Sequence, residues 1–497
     1  MFLLRNQTAR RSSRAVFGLC AGLSLTTAAE AQTAGVSETP NSPDAASTIP
    51  ATATPEATNA KGVPDGDFFT LGDPLKPLGD SLASKGVYLK GFFESTLYAN
   101  VSGGSQKTNV FYEEAFYGAD FDLEKIVGLK GTVIHFSLDS RFGGIPQGVN
   151  NLSGSTTGYL QGAGPDNQTR LNELSIDQHL FDDKIRFVVG RTTLANYFAT
   201  SELYCQFQVG TCSNIGPYTW SENSNAPFWP IATWAGEIAY FPTPQAYIRV
   251  GAEEDHPSQY AYGGFPWNSG WSTNGATGVF VPVQVGYQED SHSGAYAGHY
   301  DVGFTYDSSN FADARYNTNG GLLAINGGTP ASDGSTTSVY VQAQKIVWRP
   351  DPSKPQALSL FASAQFATSG HPIIQSFYQV GAVLHGTFAS RPNDLFGIDF
   401  QTNQFNHRST GYVNDEIAAQ GLFGNVSNSS QILEVNYTVE LAPGIQVKPY
   451  TAYFFHPDQN LFNVSPNPKN TYAWAVGVQF AILLNDALGL PGYFRPN

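Results

Sequence analysis

Two groups of carboxylates are the first candidates for chemistry: Glu113–Glu114 and the run from Glu253 to Asp255. Paired carboxylates can divide acid and base work, as glycoside hydrolysis requires. No enzyme motif surrounds either group. The nine histidines are scattered, with no H-x-x-x-H spacing. There is no G-x-S-x-G and no phosphate-binding glycine loop. The sequence therefore offers no catalytic, cofactor-binding or metal-binding constellation. Acid-rich loops explain the carboxylates as well as an enzyme would.

A second set of charged residues is distributed differently. Lys90 and Glu94 share one face of VYLKGFFE, and Glu114 belongs to the next segment. Asp139 and Arg141 share a face of VIHFSLDSR, Glu173 and Asp177 a face of LNELSIDQHL, and Glu434 lies in QILEVNYTVEL. In each segment, polar residues alternate with apolar ones. Strands with faces this unlike separate water from something greasy. The greasy side is either a protein core or lipid.

The whole chain narrows that choice. Charged residues make up 13% of it, against about 25% in an ordinary soluble domain. Aromatics also reach 13%, and glycines number 51. No run of apolar residues after the N-terminal region is long enough for a membrane helix. A transmembrane β-barrel has this composition, because its strands alternate lipid-facing and lumen-facing side chains. Connections alternate as well. Short ones lie at 123–129, 181–184, 241–245 and 442–445. Long Gly/Asn/Ser-rich ones lie near 142–168, 195–230, 255–296, 318–337, 406–429 and 456–470. Outer-membrane barrels segregate short periplasmic turns from long outer loops, which a sandwich has no reason to do.

Runs starting near 87, 109, 130, 170, 185, 234, 246, 297, 311, 338, 357, 375, 394, 430, 446 and 472 predict about sixteen strands. The fold class is all-β: an antiparallel transmembrane β-barrel with a short N-terminal periplasmic helix and long extracellular loops. A barrel of that size encloses water.

The N-terminus reads as an export signal over 1–31: a basic MFLLRNQTARRSSR, an apolar AVFGLCAGLSLTTA and the cleavage pattern Ala29-Glu30-Ala31. Arg10 and Arg11 raise twin-arginine export, but the residues after them favour the general route. Arg5, Arg10, Arg11 and Arg14 leave together with Glu30, so the −15 of the whole chain falls by three, to about −18. Such a chain is a poor nucleic-acid binder. Residues 32–72 form an Ala/Thr/Pro-rich linker with a short lead-in. Residues 73–86 can hold one short helix, which Pro77 and Gly79 should confine to its second half. The barrel then occupies 87–484, and 485–497 is a C-terminal tail. Cys20 leaves with the signal. In an oxidising compartment Cys205 and Cys212, in CQFQVGTC, should close one loop. A zinc site would need further Cys or well-spaced His residues that are absent.

Several segments, in order, resemble the carbohydrate-selective porins of the OprB type. They are SLASKGVYLKGFFESTLYANVSGG (81–104), FYGADFDLEKIVGLKGTVIHFSLDSRFGG (116–144), FVVGRTTLANYFATSELYCQF (187–207), RPNDLFGIDF (391–400) and ILEVNYTVELAPGIQVKPYTAYFFHP (432–457). Two departures are a reduced opening, LGDPLKPLGD, and the extension NDALGLPGYFRPN beyond the last strand. The resemblance implies a passive channel for glucose and related sugars, narrowed by charged and aromatic side chains. Carboxylates would accept hydroxyl hydrogens, arginine would donate in a planar fork, and aromatic rings would stack on C–H faces. On that reading Lys90, Glu94, Glu114, Asp139, Arg141, Glu173, Asp177 and Glu434 are the candidate pore-lining residues. The implied partners are transported sugars and outer-membrane lipid, with the chain as monomer or homotrimer. The competing readings are a secreted glycan-binding or glycan-hydrolysing β-protein, and a barrel for polyols or aromatic acids.

Overall fold

The computed structural model describes residues 66–143, 150–155, 167–208, 223–227, 229–257, 271–289, 296–457 and 469–493. The expected signal and most of the linker lie outside these residues. Sixteen antiparallel strands close into one barrel, each paired with its sequence neighbours, and β1 pairs with β16. The strands are β1 (Val87–Gly103), β2 (Asn109–Asp122), β3 (Thr132–Gly143), β4 (Gln168–Leu180), β5 (Ile185–Thr192), β6 (Thr233–Tyr240), β7 (Ala246–Asp255) and β8 (Gly278–Gln288). They continue as β9 (Gly298–Asn317), β10 (Pro330–Trp348), β11 (Ala357–Ser369), β12 (Ile374–His385), β13 (Leu395–Phe405), β14 (Ser429–Ala442), β15 (Ile445–Phe455) and β16 (Tyr472–Leu483).

The usual burial rule is inverted on these strands. On β9 the outward Tyr300, Val302, Phe304 and Tyr306 are exposed, while the inward Asp301, Thr305 and Asp307 are buried. A wall that is apolar outside and polar inside is built for lipid around water. Outward aromatics such as Tyr240, Tyr287 and Trp348 lie near the end where β1 begins and β16 ends; Trp234, Phe366 and Trp474 lie near the opposite end. These are the two interfacial girdles of a membrane barrel. Among the described residues no helix is long and apolar enough to cross a membrane; the strands do the crossing.

Two strand boundaries differ from expectation, although the count agrees. The runs near 297 and 311 are one continuous 20-residue strand, β9. The missing strand is β8, inside the segment read as a loop over 255–296. Pro282 hid it: proline donates no ladder hydrogen bond. The β7–β8 ladder in fact skips from Val250–Val283 to Glu253–Phe280. Loop lengths are also less strictly segregated. Two connections at the outer end, 104–108 and 370–373, are short.

At the opposite end, helix α1 (Lys76–Ala83) starts earlier than expected, because Pro77 occupies its first turn, where no intrahelical donor is needed. The tail is not free chain. After β16 it forms helix α2 (Leu484–Leu488), and Leu488 O accepts from Leu75 N at 3.0 Å. Close packing also sets positions inside the barrel. A Cβ on Gly303 would meet the Tyr340 ring 2.0 Å away. Tyr340 is buried and donates to Gln284 Oε1 at 2.6 Å. Gly303→Ala must displace that ring and is expected to cost about 1–3 kcal/mol. A urea-unfolding midpoint in detergent, unchanged from that of the parent, would refute this.

Candidate functional site

All of the candidate pore-lining residues point inward, and the structure sorts them into three groups. The first belongs to a ladder of charged and ionisable groups that runs along the inner wall near the end where β1 begins. Lys90 Nζ lies 2.6 Å from Asp120 Oδ1, and His135 Nδ1 lies 2.7 Å from the same oxygen. His135 Nε2 faces Asp177 Oδ2 at 3.6 Å, and Arg186 bridges Asp177 (2.8 Å) and Glu237 (3.3 Å). Lys90 and Asp177 are thus parts of a belt crossing β1 to β6. Asp120 lies between Lys90 and His135, and Arg186 between two carboxylates, so these groups can be buried at tolerable cost.

The second group lies higher in the lumen, on β1, β2 and β3. Register places Glu94 opposite Glu114, and Glu114 opposite Arg141. Arg141 donates to Glu114 Oε1 from Nη2 (2.8 Å) and Nε (3.0 Å), and its Nε is 3.3 Å from Asp139. Gln479 Nε2 donates to Glu94 Oε2 at 2.7 Å. Lys448, on β15, acts electrostatically on Glu94. Glu94, Glu114 and Asp139 are buried, whereas the Arg141 side chain keeps 14% of its surface exposed. Arg141 is therefore the most exposed of these four side chains.

The third group holds a segment that the sequence reading placed outside. The described residues of the connection 193–232 fold into the lumen instead of standing outside as a loop. Thr193 caps a short turn by accepting from Ala195 N. Leu194, Phe198, Leu203, Tyr204 and Phe207 then pack against Phe280, Tyr340, Phe361 and Phe377 of the wall. Polar anchors follow in order around the barrel. Leu194 N donates to Glu253 (3.0 Å), Ala199 N to Gln284 (2.8 Å) and Tyr204 OH to Gln342 (3.1 Å). At the far side Gln208 N donates to both oxygens of Glu434 at 2.9 Å, and Asn436 Nδ2 to Gln206 O at 2.8 Å. Glu173 secures the near end, accepting from Tyr197 OH at 3.0 Å and Thr192 Oγ1 at 3.2 Å. Glu173 and Glu434 are thus the two ends of the anchorage. Cys205 lies in this segment and is disulfide-bonded; Cys212 is outside the described residues.

The returning arm brings an aromatic group to the second cluster. Trp229 packs on Phe92 and Phe116, with ring centroids 6.4 and 5.2 Å away, and donates from Nε1 to Glu114 Oε1 at 3.1 Å. Carboxylates, a guanidinium and an indole therefore meet at one level of the lumen. The sequence reading missed Asp120, Arg186, Glu237, Lys448 and Trp229. For the insertion there was a signal: LANYFATSELYCQF is far more apolar than the Gly/Asn/Ser-rich connections. Arg186 and Lys448 could have been found by the same period-two alternation that marked Arg141.

A family model described as "Carbohydrate-selective porin, OprB family" matches residues 112–482. Porin B of Pseudomonas aeruginosa is 27% identical over 397 residues, covering 76% of this chain and 84% of that protein. The high-pH structure of Pseudomonas putida OprB aligns with a TM-score of 0.73 at 21% identity, over 84% of this chain and 99% of that one. The low-pH structure of the same protein aligns at 0.50 and 18%, with the same coverage. At those identities the solved structures speak to the fold alone.

Proposed function

Given that this chain belongs to the OprB family of carbohydrate-selective porins and is an outer-membrane β-barrel, we propose that sugars cross it past the Glu94–Glu114–Asp139–Arg141 cluster. Trp229 and Lys448 complete the constriction. The observation that carries this reading is the meeting of Trp229 with Arg141 and its carboxylates on one carboxylate, Glu114. A sugar has apolar C–H faces and hydroxyl edges, so a ring beside charged donors and acceptors suits both. The inserted segment narrows the lumen from the β6–β14 side and directs solutes to this cluster. The charge belt nearer the start of β1 acts as wall, because its charges satisfy one another. Glucose and related sugars are the solutes, and the reading requires no catalytic step. Binding must stay weak enough for release.

Planar-bilayer recordings test the reading. Single channels should conduct, and glucose or maltose should reduce the current in a concentration-dependent way. Trp229→Ala should weaken that block by about tenfold, through the loss of one stacking contact and of the indole that holds Glu114 in place. Current that no sugar reduces would end the carbohydrate assignment while leaving a porin. Unchanged block in Trp229→Ala would remove the indole from the solute path.

A further inference from the structure

The segments before β1 and after β16 cross beneath the seam where the first and last strands pair. The lead-in to β1 comes from the far side. Gly66 O accepts from Arg391, whose guanidinium lies 4.6 Å from the centre of the Phe68 ring. Phe68 N donates to Leu441 O, at the end of β14, at 2.9 Å. Leu75 N reaches Leu488 O, after β16, at 3.0 Å, and only then does α1 lead into β1. The segment after β16 runs the other way. Asn485 Nδ2 donates to Leu89 O of β1 at 3.3 Å, and the Tyr493 ring meets that of Tyr88 edge-on at 5.2 Å. The two segments touch at Gly79 of α1, where a Cβ would meet Pro491 Cδ at 2.6 Å and Leu490 Cδ2 at 2.9 Å. Leu484, Ala487 and Leu490 are buried in this contact region.

The seam is the costliest pairing to close. Every other pair of neighbouring strands is joined by its own connection, whereas β1 and β16 are joined only through all the strands between them. Closure entropy rises with the length of chain that is closed. An open seam also leaves two unpaired strand edges, which a closed barrel abolishes. Each crossing segment is anchored on the strands at the opposite side of the seam, so parting β1 from β16 must break both sets of contacts. We propose that the crossed segments are a clasp that holds this seam shut, and that a barrel with a loosened clasp opens first between β1 and β16. The extension beyond the last strand then has a use, as one half of the clasp.

Gly79→Leu in the full barrel tests the clasp, with the unfolding rate in urea and detergent read from the loss of compact gel mobility over time. Leucine is the better helix former, so an effect on α1 alone should slow unfolding. Wedged against Leu490 and Pro491, it should instead speed unfolding about tenfold. A chain stopped after Leu484 should unfold faster still. A disulfide formed through Leu97→Cys and Val478→Cys, which pair across the seam, should return Gly79→Leu to the parent rate. One formed through Val283→Cys and Phe304→Cys, which pair across β8 and β9, should not. Gly79→Leu keeps the whole chain, so the test stands whether or not the stopped chain folds. Unfolding of Gly79→Leu at the parent rate or slower overturns the clasp. Equal rescue by the two disulfides overturns the seam as the place of opening. Neither result touches the sugar assignment, which is read from sugar block.

Discussion

Replacing Arg141 with alanine is expected to weaken sugar block roughly ten- to a hundredfold and to shift the open channel toward cations. The first effect reflects the loss of a charged donor to sugar hydroxyls, worth about 1.5–3 kcal/mol for a hydrogen bond to a charged group. The second follows from the charges left behind. Arg141 is the ion-pair partner of Glu114 and Asp139, and Glu94 lies beside them. Without the guanidinium this part of the wall is three carboxylates, with Lys448 as the facing cation. Pore selectivity is set by such rings at the narrowest level rather than by total charge. Reversal potential in a salt gradient reads the second effect, and glucose or maltose block the first. Parent values for both would return Arg141 to the ordinary pore wall.

Arg186→Leu is the change expected to cost most in stability, about 3–5 kcal/mol. Arg186 is fully buried in the belt, with Nε and Nη2 on Asp177 at 2.9 and 2.8 Å and Nη1 on Glu237 at 3.3 Å. It also lies over the Tyr197 ring at 5.1 Å, beneath the start of the inserted segment. Leucine fills much of the volume but strands two carboxylates without their cation. Urea unfolding in detergent should show a lower midpoint. Arg186→Leu combined with Glu237→Gln should recover part of it, because one stranded charge is then gone. A midpoint equal to the parent's would mean that water or other groups already neutralise Asp177 and Glu237. Sugar block should change little in either variant, which separates the belt's structural work from that of the Glu94–Glu114–Asp139–Arg141 cluster.

The fold was largely legible from local pattern. A period of two in side-chain polarity is a property of each strand alone, and it survives whatever the strand later pairs with. That is why Tyr472, Trp474 and Val478 stand outward and Gln479 inward along β16. The same locality produced the errors around β8 and β9. Pro282 interrupts the local signal of a real strand, and the charged and small residues near 311 interrupt the signal of a strand that continues.

The site was legible only as a set of faces. Sequence determined that Glu94, Glu114, Asp139, Arg141 and Glu434 project from the polar side of strands. It did not determine which of them meet. Strand register brought Glu114 to Arg141 and left Glu434 to another task. The inserted segment is the clearest case, since Gln208 reaches Glu434 across 226 positions of sequence. A contact of that span leaves no periodic trace in either partner, because its geometry exists only once the barrel has closed. Sequence by itself set the wall: its alternation, its polarity and its membrane setting. The tertiary structure alone decided what stands inside that wall, because the lumen is made by strands far apart in the chain.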